Sequence, residues 1–322
     1  MTVPKYSVII PVYNRPQELG ELLESLCQQT FTDFEVIVVE DGSTIKSQSL
    51  VENYSDTLAI HYFFKANSGP GPSRNFGFEK ALGDYLVIFD SDCILPAHYF
   101  ESVENFMKTN SLDAWGGPDR GHDNFTNLQR AMAYTMSSFL TTGGIRGAKK
   151  IFGTYQPRSF NMGISKETFK KTGGFHFDRF AEDIELSIRM KKLRLKISLI
   201  RDAFVFHKRR ATLGQFFQQV SNFGKGRVLV GTKHIGEVKL VHWFPFLFST
   251  SWLITPILFL IKFELGLIIL SGNFIYLLLI AFDCLLKTRS IMVSLLSIPA
   301  AIVQLLGYGF GFFSQKLKFL WS

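Results

Sequence analysis

Over its first two hundred residues the chain alternates short, unbroken apolar runs with segments of helical spacing. "YSVIIPVYN" reads as a continuous apolar strand. "RPQELGELLESLCQQT" follows as a helix, with Leu19, Leu22, Leu23 and Leu26 on one face and Pro16 near its start. "FEVIVVEDGS" predicts a second strand, "IKSQSLVENY" a weak helix and "LAIHYFFK" a third strand. "NSGPGPSRNFGFEKALG" predicts a Gly/Pro loop opening a helix, and "DYLVIFDSD" a fourth strand. Beyond it the alternation loosens. "LDAWGG" fits a strand, "NLQRAMAYTMSSFL" an amphipathic helix, and "SFNMGISKETF" a strand running into a helix. "AEDIELSIRMKKL" fits another helix, and "LKISLIRDAFVFHKRR" strands that end in a basic cluster. Unbroken apolar strands between helices predict an α/β domain with a mainly parallel sheet covered on both faces. Ligands of such sheets bind at the carboxyl ends of the strands.

The last third of the chain has another character. Residues 243–261, 265–282 and 291–315 carry no charged side chain, and each is about the length a bilayer-spanning helix requires, roughly 17–25 residues. Buried helices of a water-soluble domain would need polar faces that these stretches lack. The expected division is therefore an α/β domain over 1–240 and a membrane region over 241–322. If the first two segments form a hairpin, "KTR" at 287–289 and the basic approach from Lys225 to Lys239 fall on one side, which the charge rule makes cytoplasmic. "KFE" at 262–264 is short enough that a re-entrant pair is the alternative. Lys316 and Lys318 leave the crossing of the third segment open.

Composition adds an electrostatic expectation. A formal charge of +8 suits an anionic partner: nucleic acid, a phosphorylated ligand or the inner face of a membrane. Nucleic acid would explain the charge but neither the acids at the strand ends nor the apolar segments, so it is set aside. Cys27, Cys93 and Cys284 are too few and scattered for a disulfide framework. The amino-terminal apolar run is too short for a signal peptide, which places the first domain in the cytoplasm and the chain at a plasma or inner membrane, multi-pass.

The strand ends hold the candidate chemistry. "YLVIFDSDCILP" delivers Asp90 and Asp92 one residue apart at the end of a buried strand. In an extended chain both would point to the same side, where they could share a hard divalent cation, Mg²⁺ or Mn²⁺, completed by phosphate oxygens. Glu40 and Asp41, ahead of Gly42 and Ser43, fit either an ordinary turn or a carboxylate that accepts hydrogen bonds from a nucleotide. Arg74, in the first turn after "SGPGPS", would sit near a phosphate, although the loop lacks the Gly-Lys-Ser/Thr ending of a P-loop. Glu182 and Asp183 fall at a helix N-terminus, whose dipole favours carboxylates, and fit either capping or a general base. In the basic cluster, His207 could complete a metal shell and Arg209 reach a diphosphate; a solvated or lipid-facing patch is the alternative.

The order of these blocks, "SVIIPVYNRP", "VVEDGST", "GPSRNFGFEKALGDYLVIFDSD" and "GGF…AED", resembles the family 2 glycosyltransferases of the GT-A fold over roughly residues 5–210. The resemblance implies a GT-A domain, a nucleotide-diphosphate sugar donor with UDP favoured, a divalent metal at the D-x-D, and inversion by one direct displacement. By position it implies that Pro11, Tyr13 and Asp41 hold the base, with Glu40 beside them. Arg74 and Asp90 would lie at the nucleotide and ribose, Asp92 would be the main metal ligand with His207 after the last core strand, and Asp183 the base supported by Glu182. "EDGS" departs from the commoner paired aspartates. The Q-x-x-R-W block of processive members is absent, "QQVSNFGKGR" standing in its place, which favours a single-addition enzyme. The acceptor expected is a hydroxyl of a membrane-proximal, lipid-linked glycan in cell-surface polysaccharide synthesis. The alternatives are a polyprenyl-phosphate sugar synthase, or a nucleotide-sugar-binding membrane protein without catalysis. Residues 125–142 fit either a helix lying against the membrane interface or ordinary core packing.

Overall fold

The computed structural model describes residues 3–120, 125–143, 155–208 and 210–321. Along the chain the elements run β1 (Tyr6–Val12), α1 (Pro16–Cys27), β2 (Phe34–Asp41), α2 (Gln48–Glu52), β3 (Ile60–Lys65), α3 (Pro70–Lys80) and β4 (Tyr85–Phe89). They continue as β5 (Cys93–Ile94), α4 (Tyr99–Met107), β6 (Ala114–Gly116), β7 (Asp119–Arg120), α5 (Asn127–Ser137) and α6 (Phe139–Thr142). Next come β8 (Asn161–Ser165), α7 (Lys166–Thr172), α8 (Glu182–Lys192), β9 (Ile197–Leu199) and β10 (Val205–His207). The last elements are α9 (Leu213–Lys233), a 3₁₀ turn at Leu240–Trp243, α10 (Phe244–Ile261), α11 (Phe263–Thr288) and α12 (Ile291–Leu320). They form two compact units, Met1–His122 with Gly153–Lys208, and Asp123–Phe152 with Arg209–Ser322. The segment from Leu213 to Leu240, assigned on sequence to the first domain, thus groups with the apolar helices.

The first unit is built on a seven-stranded sheet of order β3-β2-β1-β4-β8-β6-β9. β1 pairs in parallel with β2 and β4, and β2 with β3, as regular strand–helix alternation requires. The sheet turns mixed where that alternation loosens: β8 inserts antiparallel between β4 and β6. Both faces are covered. Tyr6, Val8, Ile10 and Val12 pack with Leu19, Leu22 and Leu23 of α1 and with Tyr99, Phe100 and Val103 of α4. Ile9, Ile37, Val39 and Ile88 face the other way, onto Phe78 of α3 and Leu186 and Met190 of α8. The two-residue period of the strands divides these sets. A second, three-stranded sheet, β5-β10-β7, lies beyond the end of β4.

In the second unit, α12 packs along α9, α5, α10 and α11. Its core joins Ala131 and Met132 of α5, Phe216 and Val220 of α9, Leu277 and Ile280 of α11, and Ala300 and Leu305 of α12. Within the segment 125–142, Leu128, Met132 and Met136 pack into this core while Phe139 is exposed, and the helix breaks at Ser138, whose side chain caps α6. Glycines set the helix spacing. A Cβ on Gly224 of α9 would strike the Tyr308 carbonyl, and one on Gly311 of α12 the Ser221 carbonyl. Among the described residues, three helical stretches are long and apolar enough to cross a membrane: Leu240–Ile261, Phe263–Thr288 and Ile291–Leu320. Large apolar side chains such as Leu260, Ile268 and Leu278 point outward from them, an arrangement suited to lipid rather than water. The expected "KFE" turn shrinks to Lys262 alone, an extended residue between α10 and α11.

Candidate active site

Parallel pairing fixes the first ingredient: β1, β2 and β4 end on one edge of the sheet, with Val12 in register with Glu40. Asn14, in the left-handed region, links two of these ends. Its side-chain oxygen accepts from the amides of Thr44 and Ile45, and its own amide donates to Ser43 Oγ.

The two acids of β2 divide by the strand period. Asp41 accepts from Lys65 Nζ at 2.5 Å and from the amides of Ser68 and Gly69 at 2.9 and 2.8 Å. Burial opposes its charge, but these donors outweigh burial and hold the carboxyl below the usual range. Asp41 thereby pins the loop that opens α3. Glu40, fully buried, turns to the other side and accepts from Ser43 Oγ, the Ser47 amide and the Tyr62 hydroxyl. It braces the turn after β2, the structural role its sequence setting allowed. Pro11 is half-buried and Tyr13 exposed at the same edge.

The loop into α3 is clamped by the segment before α8. Gly69 has φ +101°, and a Cβ on Gly71 would strike the Phe177 carbonyl oxygen, while the Gly71 amide donates to Asp178 O at 3.0 Å. Asn75 pairs with the Phe175 backbone in both directions at 2.8 Å. Arg74 follows from this docking. It is buried, and its guanidinium donates to Asp90 Oδ1 and to Glu182 Oε1, each at 2.7 Å. Burial disfavours the Arg74 charge, yet the two carboxylates more than restore it and raise its pKa. Burial also pushes the Glu182 carboxyl up, against the pull of Arg74.

Asp90 and Asp92 do not lie on an extended chain. The Cys93 amide donates to Asp90 O at 3.0 Å, so residues 90–93 close a turn, and each acid finds its own cation. Asp90 takes Arg74. Asp92, buried, accepts from Arg15 Nη1 at 2.7 Å through Oδ2, while His207 Nε2 lies 3.1 Å from Oδ1. His207 stacks on Phe160. Burial works against its imidazolium, but Asp92 ahead of Asp90 and Asp119 lifts its pKa above the ordinary value. Each acid at the strand tip thus has a side-chain partner, Arg74 for Asp90 and Arg15 with His207 for Asp92.

Among the described residues, one cluster at this edge has a metal-ligand donor set: Asp92, Cys93 and His207, whose ligand atoms lie within 4.8 Å of one another. A carboxylate oxygen, an imidazole nitrogen and a thiol fit a divalent ion. Asp90 is outside this cluster, on Arg74. Asp183, at the start of α8, accepts from the Ile184 amide at 2.7 Å and has Arg158 Nη1 3.7 Å away. Its neighbour Glu182 joins it to Asp90 through Arg74. Arg209 lies outside the described residues. Arg15, Cys93 and Arg158 are contributors that sequence reasoning passed over; Arg15 stands in the quoted "YNRP" block, but nothing in its spacing announces a partner at Asp92.

The sequence model described as glycosyl transferase family 2 matches residues 7–177, more than half of the chain, and the protein belongs to this family. The chain is 42% identical over 113 residues to the poly(ribitol-phosphate) beta-N-acetylglucosaminyltransferase TarS of Staphylococcus aureus, a match covering 34% of this chain and 20% of TarS. An uncharacterized glycosyltransferase of Rickettsia bellii is 41% identical over 108 residues, 34% of this chain and 16% of that protein. The matched part is thus a small fraction of either relative. Among solved structures, the mannosyltransferase PcManGT of Pyrobaculum calidifontis, in complex with GDP-Man and Mn²⁺, superposes with a TM-score of 0.58 at 16% identity. That likeness covers 95% of this chain and 88% of PcManGT. TarS in complex with UDP-GlcNAc gives 0.51 at 20% identity over 98% of this chain and 92% of that structure. These likenesses establish the fold as GT-A-like, the α/β architecture expected from the strand pattern.

Proposed function

We propose that the protein is an inverting glycosyltransferase that moves a sugar from a nucleoside-diphosphate donor, UDP favoured, to a hydroxyl of a membrane-proximal glycan. The observation that carries this reading is the gathering of two polar groups, Asp92 with His207 and Asp90–Arg74–Glu182 with Asp183 next in the chain, at the carboxyl ends of β4 and β10 and the start of α8. Support also comes from the UDP-GlcNAc complex of TarS and the GDP-Man–Mn²⁺ complex of PcManGT.

Asp92 and His207 would hold a divalent cation, Mn²⁺ or Mg²⁺, which supplies charge stabilisation to the departing diphosphate. The remaining work belongs to side chains. Tyr13, Pro11 and the loop pinned by Asp41 flank the base; Asp90, oriented by Arg74, faces the ribose; Arg209 is assigned to the diphosphate. Asp183 takes the proton of the acceptor hydroxyl as that oxygen attacks the anomeric carbon from the side opposite the leaving group. One base and no protein nucleophile give inversion, unlike the paired carboxylates of retaining hydrolases. The three apolar helical stretches support an acceptor at a membrane, lipid-linked, with the first unit on the cytoplasmic side of a multi-pass anchor. The name of TarS supports a cell-wall polymer as the wider class.

The test is thermal unfolding of the detergent-solubilised protein with nucleoside diphosphates. UDP with Mn²⁺ is expected to raise the midpoint of the wild type and leave Asp92→Ala unmoved. Indifference to every nucleoside diphosphate, with either metal, sinks the reading.

A further inference from the structure

The hairpin of α10 and α11 supplies a ruler for the helix that follows it. Ser251 Oγ donates to Asn273 Oδ1 at 3.2 Å and accepts from Asn273 Nδ2 at 3.1 Å. Towards the tip, a Cβ on Gly266 would meet the Phe259 ring. Extended by this antiparallel register, Ala281 of α11 comes level with Trp243, just before α10 begins. Along α12, successive contacts with the hairpin stay near that level. Close to its start, Ser294 Oγ donates to Ala281 O at 2.6 Å. In its middle, Leu305 O accepts from Ser249 Oγ at 3.4 Å, and a Cβ on Gly309 would strike the Pro245 carbonyl. Near its end, the Phe312 ring lies 4.9 Å from that of Trp243, and Lys316 Nζ 5.7 Å from the same ring. From Ser294 to Lys316 a helix rises roughly 33 Å, yet these contacts on the α10 side stay between Trp243 and Ser249, roughly 9 Å of helix. A third crossing packed beside the other two would follow them along their length. α12 instead passes across the base of the hairpin, with both ends at one level. Its other neighbour agrees: Gly307 lies against Phe217 and Val220 of α9, and Gly311 against Ser221. α9 also carries Gln218, Asn222, Lys225 and Arg227, a set that the hydrocarbon of a bilayer excludes.

We propose that α12 does not cross the bilayer but lies along the headgroup boundary of one leaflet, at the base of a two-span hairpin formed by α10 and α11. Its partner is an anionic lipid surface. The outward side chains of α12, among them Met292, Leu295 and Phe310, are large and apolar, which suits burial at the acyl boundary. Cations gather at the same end of the hairpin. Lys239 precedes the turn that leads into α10, Arg227 Nη1 lies 3.5 Å from the Glu237 carbonyl beside it, and Lys316 and Lys318 fall in the last turns of α12. All four then share the side of Lys287, where the charge rule places the cytoplasm and its anionic leaflet. A crossing α12 would send Lys316 and Lys318 to the opposite face, against that rule. This placement concerns the membrane region alone and stands whether or not the transferase reading does.

The experiment is photolabelling of the unmodified full-length protein in liposomes that contain phosphatidylglycerol. The probes are lipids with a diazirine either beside the headgroup or at the acyl end, and modified residues are identified by mass spectrometry. Met292, Leu295 and Phe310 are expected to be labelled at least about fivefold more by the headgroup-proximal probe, since an interfacial helix sits at that depth. Leu253 and Ile268, within the hairpin, are expected to show the reverse preference. Phe310 labelled like Leu253 overturns the placement. Sidedness is read separately in cells expressing Lys262→Cys, Arg289→Cys or Lys318→Cys, all at exposed positions. A membrane-impermeant maleimide is applied to spheroplasts and to inverted vesicles, and the labelled peptide distinguishes each site from the three native cysteines. Lys262→Cys is expected to react from the outer face, and Arg289→Cys and Lys318→Cys together from the inner face. Lys318→Cys reacting from the face of Lys262→Cys, or all three reacting from one face, refutes it.

Discussion

Arg74 of α3 and Glu182, the first residue of α8, are 108 positions apart in the chain and joined by a 2.7 Å hydrogen bond through a buried guanidinium. Because the same guanidinium holds Asp90, the end of β4 and the start of α8 cannot move independently. The bond therefore ties Asp90 to the neighbour of Asp183, the candidate base.

Removing one member of such a buried network leaves the others charged and unpaired, which costs about 3–5 kcal/mol. Arg74→Ala is expected to lower the thermal midpoint by roughly 10 °C, since each kcal/mol is worth about 2–4 °C in a domain of this size. Arg74→Lys keeps the charge but cannot reach two carboxylates in a fork, so it should fall between. A midpoint for Arg74→Ala within a degree or two of wild type would show that the triad carries no strain-free pairing worth the name.

Asp183→Asn tests the assignment of the base. The variant keeps the side-chain shape and the Ile184 contact, so stabilisation by UDP and Mn²⁺ should be unchanged. Transfer to a hydroxyl acceptor should drop about 10²–10⁴-fold, measured as release of UDP at saturating donor. Full activity in Asp183→Asn points to an acceptor that needs no deprotonation, a lipid phosphate, and turns the enzyme into a polyprenyl-phosphate sugar synthase.

Much of this architecture was legible because it follows from period and position. The continuous apolar strands required two covered faces, and the parallel part of the sheet then had to gather Asp41, Asp90 and Asp92 on one edge. The less visible part depends on pairing across long separations. No local pattern says that β8 inserts antiparallel beside β4, or that Arg15 and His207, 77 and 115 residues from Asp92 in the chain, meet at its carboxylate. The extended reading of Asp90–Ser91–Asp92 failed for a local reason: the chain turns at once to feed β5, as the bond from Cys93 N to Asp90 O shows. Glu40 was grouped with Asp41 by sequence adjacency, whereas the two-residue period sends adjacent side chains apart. The membrane-type helices were plain from composition, but the packing of α5 and α9 among them was not, since both carry ordinary amphipathic patterns.

Asp41 gives a pH-dependent test. Its folded-state pKa is depressed by Lys65 and two amides in spite of burial, so its contribution to stability is complete above the unfolded value of about 3.9 and disappears as pH falls through the lowered folded value. Asp41→Asn should be about 2 kcal/mol less stable than wild type near neutrality, the worth of charged hydrogen bonds. The gap should close on acidification below pH about 4, as followed by parallel thermal scans. A gap that persists unchanged into acid would assign the loss to packing instead of charge.

The contact between α9 and α12 depends on having no side chain where the backbones approach. Gly311 lies against the Ser221 carbonyl and Gly224 against the Tyr308 carbonyl, and neither oxygen can swing aside as a flexible side chain would. Small residues spaced four apart, Gly307 and Gly311, face α9, a spacing that lets two helix backbones approach closely. Gly311→Ala should therefore cost about 1–3 kcal/mol by overpacking, although alanine is the better helix former by about 1 kcal/mol. Gly272, which has open space around its would-be Cβ, is the control: Gly272→Ala should be neutral or stabilising. Heat-induced aggregation in detergent, scored for the two variants side by side, distinguishes the cases, and equal midpoints would mean that α9 and α12 are free to separate by the width of a methyl group.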